Sequence, residues 1–402
     1  MAEVEIPSYF LCPISLQMMR DPVTLPTGIT YDRESIERWV FSGEHRSCPV
    51  TKQQLPPSFD LTPNHTLRRL IQAWCIANAS SGVDRIPTPR PPIDDTQISK
   101  LLEDASSSHT QLSICLRKLG EAVSESEANR RCVKASPAVE FLVSIIAADV
   151  ADGVCDEAVG ILHSLKIGDE RLIRIVESSE GGFIDSMFMI LQRSSFLTRA
   201  PAICLLSSIV AAVSPARLLC VEAVHIQEVI SVLSDRISNQ ATKSALRVLI
   251  GLSPWGRNRV KAVKAGGVPA LIKLLLEEAD RRICELGLVA LDKLCGCADG
   301  RAELVCHAAG IAVVSDKVLT VSAAASATAV KVLRKVCVMS ATPAVLQEML
   351  QSGAVAKLCL LLQVDCRARE KEMATEILRL HSMVWRKSNC SPVFLALKSL
   401  HR

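Results

Sequence analysis

From about residue 96 onward, apolar residues recur every three or four positions, as one buried face of an α-helix requires. Two such stripes are Ala245-Val248-Leu249-Leu252 and Ala329-Val332-Leu333-Val336. Similar segments begin at positions 138, 182, 225, 267, 310 and 353, which are 44, 43, 42, 43 and 43 residues apart. The helical pattern alone would also fit an irregular helical bundle, which stays open as the alternative. A period of about 42 residues favours a solenoid.

Each repeat is interpreted as a short helix, a glycine-containing turn, a second helix and a longer third helix. In the clearest unit, residues 265–267 form the turn, 268–276 the second helix and 280–294 the third. The run 265–276 is similar to the armadillo-repeat consensus. That resemblance implies a right-handed superhelix whose third helices line a concave groove for protein partners. The Trp and Asn ladder of nuclear-import armadillo proteins does not occur here, so their basic-peptide ligands are not expected.

Two other regions precede the solenoid. Residues 5–79 are rich in turns and carry most of the unusual residue types, and residues 80–95 form a linker with four prolines (Pro87, Pro89, Pro91 and Pro92). Proline cannot continue a helix, so this linker should be semi-stiff and extended. The sequence therefore predicts a small α+β module at 5–79, a linker at 80–95 and an α-solenoid at 96–402, which makes the chain mainly α.

Composition excludes several classes of protein. Hydrophobic residues make up 49% of the chain but aromatic ones only 3%, which suits many thin helical layers, and the net charge is +4 with both signs interspersed. A nucleic-acid binder would show a basic stripe, and a membrane span would need roughly 20 consecutive apolar residues. The N-terminus lacks the pattern of a signal peptide. The sixteen cysteines are scattered through helical patterns, so we expect free thiols in a reduced, cytoplasmic protein, with the nucleus not excluded.

Two short motifs in the N-terminal module resemble zinc-binding motifs in which one of the two cysteine ligands is replaced. Cys12-Pro-Ile-Ser15 and Cys48-Pro-Val-Thr51 stand where a zinc-binding RING domain has Cys-x-x-Cys pairs. A neutral hydroxyl does not replace a thiolate as a zinc ligand, and His45 and His65 are too few to complete two sites. We therefore expect no metal and no other cofactor, with hydrogen bonds and packing holding the loops instead.

The whole module resembles the U-box family. The matching stretches are residues 7–23, 27–39, 48–53 and 61–75. The resemblance as a whole covers about 75 residues, with no insertion or deletion between these stretches. The resemblance implies a zinc-free RING-type fold that recruits a ubiquitin-charged E2 conjugating enzyme. With the linker and the solenoid added, the chain resembles the short plant U-box/armadillo E3 ubiquitin ligases, a group associated with defence and stress signalling.

The residues of the module agree with a helix flanked by two loops. Asp32 is a suitable N-cap, and Glu34 in the first turn complements the helix dipole. Ile36, Trp39 and Val40 share one face of that helix. The loops around Ile14 and Pro49 should lie beside it and form a shallow apolar groove.

By family resemblance, Ile14, Trp39 and Pro49 bind the E2, and Lys52 bridges E2 and ubiquitin to favour the attack-ready conjugate. Each assignment has a structural alternative: Trp39 as core, Pro49 as a turn former and Lys52 as a solvated surface residue. Lysine also lacks the bidentate geometry of the arginine often found at this position.

The remaining residues of the module are interpreted as structural. Cys12, Ser15, Cys48 and Thr51 hold the two loops, and Asn64 is expected to be a buried hydrogen-bonding strut. Because both cysteines lie beside proline in scaffold loops, neither is expected to be a nucleophile. The chain then supplies no catalytic residue of its own.

The sequence thus predicts an E3 ubiquitin ligase whose solenoid holds a protein substrate while the U-box positions E2~ubiquitin. Two alternatives stay open: an adaptor that binds an E2 without activating it, and an armadillo cargo receptor. Homodimerisation through the U-box is a further partnership that the sequence does not decide.

Overall fold

The computed structural model describes residues 6–42, 47–56, 59–84, 93–148, 152–179, 182–193, 196–219 and 221–386. Its contacts divide the chain into two compact units, Met1–Val139 and Glu140–Arg402. The four linker prolines and His45 lie outside the described residues. The boundaries predicted at 79/80 and 95/96 stay predictions.

The first unit begins with a small antiparallel sheet. Its strands are β1 (Pro22–Thr24), β2 (Thr30–Asp32) and β3 (Thr62–Pro63), in the spatial order β2-β1-β3. Val23 lies opposite Tyr31 in the β1–β2 register. The connecting turn contains Gly28 at φ +83°, a left-handed conformation that glycine adopts without steric strain.

Two helices pack on this sheet. Helix α1 (Arg33–Glu37) follows β2 directly and widens into a π-helical turn over Arg38–Ser42, and helix α2 (His65–Ala77) follows β3. The shared core is made of buried apolar side chains: Phe10, Cys12, Met19, Val23, Leu25, Tyr31, Ile36, Cys48, Leu55, Ile71 and Cys75. The predicted α+β module is therefore present, with both motif cysteines at its centre.

Three further helices complete the first unit: α3 (Asp95–Ala105), α4 (His109–Glu125) and α5 (Glu127–Ala135). Each begins at a polar N-cap whose side chain accepts a backbone N–H, namely Asp94, Ser108 and Ser126. These caps satisfy amide donors that the first helical turn leaves unpaired.

From α6 onward the helices follow the predicted repeat. They are α6 (Ala138–Ala147), α7 (Asp152–Ser164), α8 (Asp169–Ser178), α9 (Gly182–Arg193), α10 (Phe196–Ala212), α11 (Ala223–Asp235), α12 (Asn239–Leu252), α13 (Gly256–Lys264), α14 (Gly267–Glu277), α15 (Arg281–Leu294), α16 (Ala298–Cys306), α17 (Gly310–Asp316), α18 (Ala323–Met339), α19 (Pro343–Gln351), α20 (Ala354–Gln363), α21 (Ala368–Leu380) and α22 (Ser382–Arg386). The repeat positions found in the sequence coincide, within two residues, with the starts of α6, α9, α11, α14, α17 and α20. The register of the repeat is confirmed.

The third helices of successive repeats stack side by side. Helix α7 packs against α10, α10 against α12, α12 against α15, α15 against α18 and α18 against α21. Both apolar stripes predicted from the sequence are buried at this stack. One repeat departs from the pattern, because a short 3-10 turn at Pro215–Leu218 replaces its first helix.

Glycine is required at two kinds of position in the repeats. Gly266 has φ +80° and ends the turn that leads into α14. At Gly310 a Cβ atom would lie 1.9 Å from the carbonyl oxygen of Leu304, so the close approach of α16 and α17 excludes a side chain.

No single described helix is both long and apolar enough to cross a membrane, and the pair α19–α20 meets that test only jointly, across a 63° bend. The cysteines within the described segments are free thiols, most of them buried.

Candidate functional site

The two motif loops have the same backbone construction. In the first loop (residues 12–17), the Cys12 amide donates to the Gln17 carbonyl at 2.8 Å and the Leu16 amide to the Cys12 carbonyl at 2.8 Å. In the second loop (residues 48–53), the Cys48 amide donates to Gln53 and the Lys52 amide to Cys48, both at 2.9 Å. Both loops also place their fifth residue in the left-handed region, Leu16 at φ 55° and Lys52 at φ 59°. They are two copies of one turn.

The hydroxyl residues that replace zinc ligands stay at the surface. Ser15 Oγ accepts the Gln17 amide and Thr51 Oγ1 accepts the Gln53 amide, each at 3.4 Å. Both side chains are exposed, whereas the two sulfur atoms are fully buried. The hydroxyls therefore stabilise each turn locally, and the sulfurs anchor it to the core.

Strand β2, which leads directly into α1, is hydrogen-bonded to both loops. The Asp32 amide donates to Cys12 Sγ at 3.3 Å, and the Tyr31 hydroxyl lies 3.1 Å from Cys48 Sγ. The same hydroxyl accepts the Val50 amide at 3.3 Å. Consecutive residues of β2 thus reach different loops, and residues of both loops share the core that contains Ile36 of α1.

Cys48 is the more heavily hydrogen-bonded sulfur. Burial raises the pKa of its thiol, but hydrogen bonds from Thr27, Thr51 and Tyr31 outweigh this and lower the pKa to about 6. Burial and the bond to Cys48 in turn raise the pKa of Tyr31 well above its ordinary range. Since Cys48 has no exposed surface, its hydrogen bonds hold the second loop, and the sulfur is not accessible to a substrate.

Asp32 does not act as the predicted N-cap. Its backbone occupies the N-cap position of α1, but the side chain makes no bond to that helix. Asp32 Oδ1 instead accepts the amides of Arg20 and Asp21 at 2.7 and 2.9 Å. The chain segment between the first loop and β1 offers two unpaired donors at once, which outweigh a single capping bond.

Trp39 serves the frame and the surface together. Its Nε1 donates to the Ser47 carbonyl at 2.9 Å, which ties the π-helical turn to the start of the second loop. The ring is half-buried and, like that of Val40, packs against the core around Ile36. A single π turn is often found at functional sites, and here it carries the tryptophan.

The other predicted contact residues lie on the two loops. Ile14 and Pro49 are half-buried and Lys52 is exposed. Two apolar residues that the sequence reasoning missed are more exposed than either: Leu16 at 74% and Val50 at 51%. Apolar side chains held in solvent on a fixed turn are typical of a binding surface. Their position directly beside the motif residues was the available signal.

Asn64 is a strut, but a half-buried one rather than the buried one predicted. Its Oδ1 accepts the Leu67 amide at 3.0 Å and so caps α2, while Nδ2 donates to Thr30 Oγ1 at 3.4 Å. Its own amide donates to the Pro22 carbonyl. The residue lies at the edge of the sheet, where it joins β1, β2 and α2 and stays partly exposed to solvent.

The sequence reasoning missed a buried carboxylate at the end of α1 that pairs with two arginines. Glu37 is 1% exposed and lies 3.3 Å from the Arg131 guanidinium on α5 and 3.7 Å from that of Arg33. Burial raises the pKa of Glu37, and the two arginines act against this shift. The helix that carries Trp39 is thus joined to α5 within the same unit.

The described residues contain no cluster of three or more His, Cys, Asp or Glu side chains able to hold a metal ion. The described part of the module can present an apolar surface on two hydrogen-bonded loops, with the exposed Lys52 on the second of them.

Comparison with known proteins identifies the class. The family model of the U-box domain matches residues 6–80, and that of the plant U-box protein ARM repeat region matches residues 97–401. The chain therefore belongs to the plant U-box/armadillo-repeat family of E3 ubiquitin ligases.

Two Arabidopsis thaliana proteins show the likeness over almost the full length. E3 ubiquitin-protein ligase PUB23 is 49% identical, with 97% of this chain and 96% of the relative covered. E3 ubiquitin-protein ligase PUB22 is 46% identical, with 97% of each chain covered. Among solved structures, a chain from work on a phosphorylation switch between cadherin and beta-catenin matches with a TM-score of 0.58 at 14% identity, covering 84% of this chain and 62% of that one. This last likeness concerns the fold alone.

Proposed function

We propose that this E3 ubiquitin transferase recruits E2~ubiquitin through the U-box surface around Ile14, Trp39 and Pro49, and that its solenoid holds the substrate. Ubiquitin passes from the E2 thioester to a substrate lysine without a covalent intermediate on this chain. The acceleration then comes from proximity and orientation.

The observation that carries the proposal is the frame beneath that surface. Strand β2 binds both loops by consecutive residues, and Trp39 is bonded to the second loop. A surface that is rigid before the partner arrives loses little conformational entropy on binding. Leu16 and Val50 extend the apolar contact on both sides.

Reconstituted self-ubiquitination with E1, a panel of E2 enzymes and ubiquitin tests the proposal. We expect ubiquitin ladders that persist in a zinc chelator, and ladders that Pro49→Ala and Leu16→Ala strongly reduce. Leu70→Ala is the matched control, because Leu70 is 52% exposed on α2 and lies outside both loops. Equal loss in Leu16→Ala and Leu70→Ala would refute a surface centred on the loops.

A second candidate function is that of an adaptor that binds an E2 without activating it. The observation that favours it is the lysine at position 52. The side chain is exposed, and it has one charged group where arginine offers a bidentate fork. Discharge of a preformed E2~ubiquitin conjugate onto free lysine separates the two functions. If the chain is a ligase, Lys52→Ala slows discharge and Lys52→Arg restores or exceeds it. An adaptor leaves discharge at the E2-only rate while still binding the E2.

We further propose, from the family resemblance, a role in plant defence and stress signalling in the cytoplasm. A fluorescent fusion in plant cells tests the location, and the immune response of plants lacking the gene tests the role. Self-association through the U-box stays a prediction that sedimentation of the full chain tests.

A further inference from the structure

Helix α5 contacts the U-box through an arginine. The Arg131 guanidinium lies 3.3 Å from a carboxylate oxygen of Glu37, which stands 94 residues earlier in the chain. Glu37 is the last residue of α1 and directly precedes the π-helical turn that carries Trp39. A side-chain contact therefore joins the module that bears the two loops to the helices that follow the linker.

Glu37 depends on this contact for a close cationic partner. Its side chain is buried, and the cation that the module itself supplies, Arg33, lies 3.7 Å away and also binds Asp21 at 2.5 Å. Burial raises the pKa of Glu37, and the charge of Arg131 is the largest influence that opposes this rise. A buried carboxylate is costly without a partner, so α5 supplies much of what keeps Glu37 ionised.

The same helix also holds the start of the helical region. Asn129 is 4% exposed, and its Oδ1 accepts the Ile93 amide at 2.9 Å. Ile93 directly precedes Asp94, the N-cap of α3. Helix α5 thus binds the U-box through one residue and the end of the linker through another. The placement of the U-box on α3–α5 therefore does not rest on the linker alone.

An ion pair of this kind contributes little to stability. The desolvation of a buried charge can cancel the attraction, and apolar residues of similar size often replace such a pair without loss. The side chain of Arg131 is 45% exposed, so water would serve it almost as well as Glu37 does. The best-attested use of a buried ion pair is to fix how two elements are placed against each other.

We propose that the Glu37–Arg131 pair holds the U-box in one orientation on α3–α5 and so selects the lysines that the bound E2~ubiquitin reaches. Arg131 is then a positioning residue, because it acts through Glu37 and not on the reacting atoms. The inference rests on the proposed function, in which the surface around Trp39 recruits the conjugate. A fixed orientation raises the effective concentration of the thioester at some lysines and lowers it at others. A module held by the linker alone would sample all of them.

Backbone amide NMR relaxation of the full chain tests the orientation. In the wild type, U-box amides should have the same rotational correlation time as amides of α4. In Arg131→Gln the value for the U-box should fall to about half of that for α4, as for a domain that moves on a linker. Arg131→Lys keeps the charge and should keep the wild-type value. Arg117→Gln is the matched control, because Arg117 on α4 pairs at 4.0 Å with Glu121 of the same helix.

Self-ubiquitination measures the consequence for lysine choice. Lys100 on α3 and Lys118 on α4 are both exposed, and mass spectrometry gives the extent of ubiquitin modification at each. The ligase is kept dilute enough that transfer occurs within one chain. We expect the wild type to modify the two lysines unequally, by at least about threefold, or to leave both unmodified. Arg131→Gln should modify both to similar extents, and Glu37→Gln combined with it should add nothing, since both changes break one contact.

Discharge of E2~ubiquitin onto free lysine separates this inference from the ligase proposal. Free lysine needs no particular orientation of the U-box, so Arg131→Gln should discharge the conjugate at the wild-type rate. Slower discharge would place the effect of Arg131 on the E2-binding surface and overturn the inference.

Two other results would overturn the inference and leave the ligase proposal standing, provided that the wild type discharges the conjugate. One is a wild-type U-box that tumbles independently of α4. The other is an Arg131→Gln chain that matches Arg117→Gln in both tumbling and lysine choice. A wild type that holds the U-box rigidly but does not discharge the conjugate would overturn the ligase proposal instead.

Discussion

Removing the Tyr31 hydroxyl should loosen the second loop and leave the first loop intact. Tyr31→Phe keeps the ring, which is fully buried, but deletes the bond to Cys48 Sγ and the acceptor of the Val50 amide. Cys48 Sγ then retains the Thr27 hydroxyl and the Thr51 amide. The first loop is untouched, because its sulfur is held by the backbone amide of Asp32.

The size of the effect follows from which groups lose a partner. A buried donor or acceptor left unsatisfied costs about 1–3 kcal/mol. Val50 is 51% exposed, so water can accept its amide, and the remaining donors still serve Cys48. We therefore expect the free energy of opening the second loop to fall by about 1–2 kcal/mol, the lower part of that range.

Hydrogen exchange of the full chain, read by mass spectrometry, measures this segment by segment. Amides in 47–56 should exchange roughly 5- to 30-fold faster in Tyr31→Phe, whereas those in 10–18 should be unchanged. The matched control is Tyr9→Phe, the same deletion at a residue that is 63% exposed, and it should alter neither segment. Equal acceleration of both loops, or none, would refute the assignment of Tyr31 to the second loop.

Three further outcomes are expected. Asn64→Ala should lower the free energy of unfolding by about 1 kcal/mol through loss of the α2 cap, whereas Asn64→Asp, which keeps the acceptor for Leu67, should recover most of it in urea titrations. Because the folded-state pKa of Cys48 is about 6 and its ordinary value is 9.0, the unfolded chain binds more protons between these values. The second loop should therefore become more stable as pH rises from 6 to 9 and less stable as pH falls through that range. The measurement is the free energy of opening at the Lys52 amide, obtained from hydrogen exchange. An opening free energy that decreases as pH rises would contradict this. Gly310→Ala should destabilise the solenoid by roughly 1–3 kcal/mol through overpacking against Leu304, while Gly256→Ala, where a Cβ meets nothing within 4 Å, should stay within about 0.5 kcal/mol of wild type in thermal melts.

The solenoid could be predicted from the sequence in detail because its determinants are local and repeated. Gly267 and Gly310 begin second helices where the period places them, and each stripe on a third helix is buried as predicted. Every repeat is a further sample of the same pattern, so the register is over-determined. The missing first helix before α11 was not predicted, since the period is preserved even where Pro215 begins a 3-10 turn.

The candidate sites depend on contacts that no spacing encodes. Glu37 lies on an exposed-looking helix turn, yet it is buried against Arg131, which follows 94 residues later. Asp32 fits the rule for an N-cap, and only the fold shows that two amides compete for its carboxylate.

The two loops have the same backbone geometry, but different kinds of hydrogen-bond donor hold their cysteine sulfurs. A zinc ion would hold each loop through equivalent ligands. Here Cys12 Sγ is bound by a backbone amide, whereas Cys48 Sγ is bound by the Thr27 and Tyr31 hydroxyls in addition to the Thr51 amide. Every residue except proline supplies a backbone donor at position 32, so the bond to Cys12 Sγ does not depend on the Asp32 side chain. The second loop, which carries Pro49 and Lys52, depends on particular hydroxyls. Changes at residues 27 and 31 should therefore alter how the second loop is held in the proposed E2-binding surface, without substituting Pro49 or Lys52.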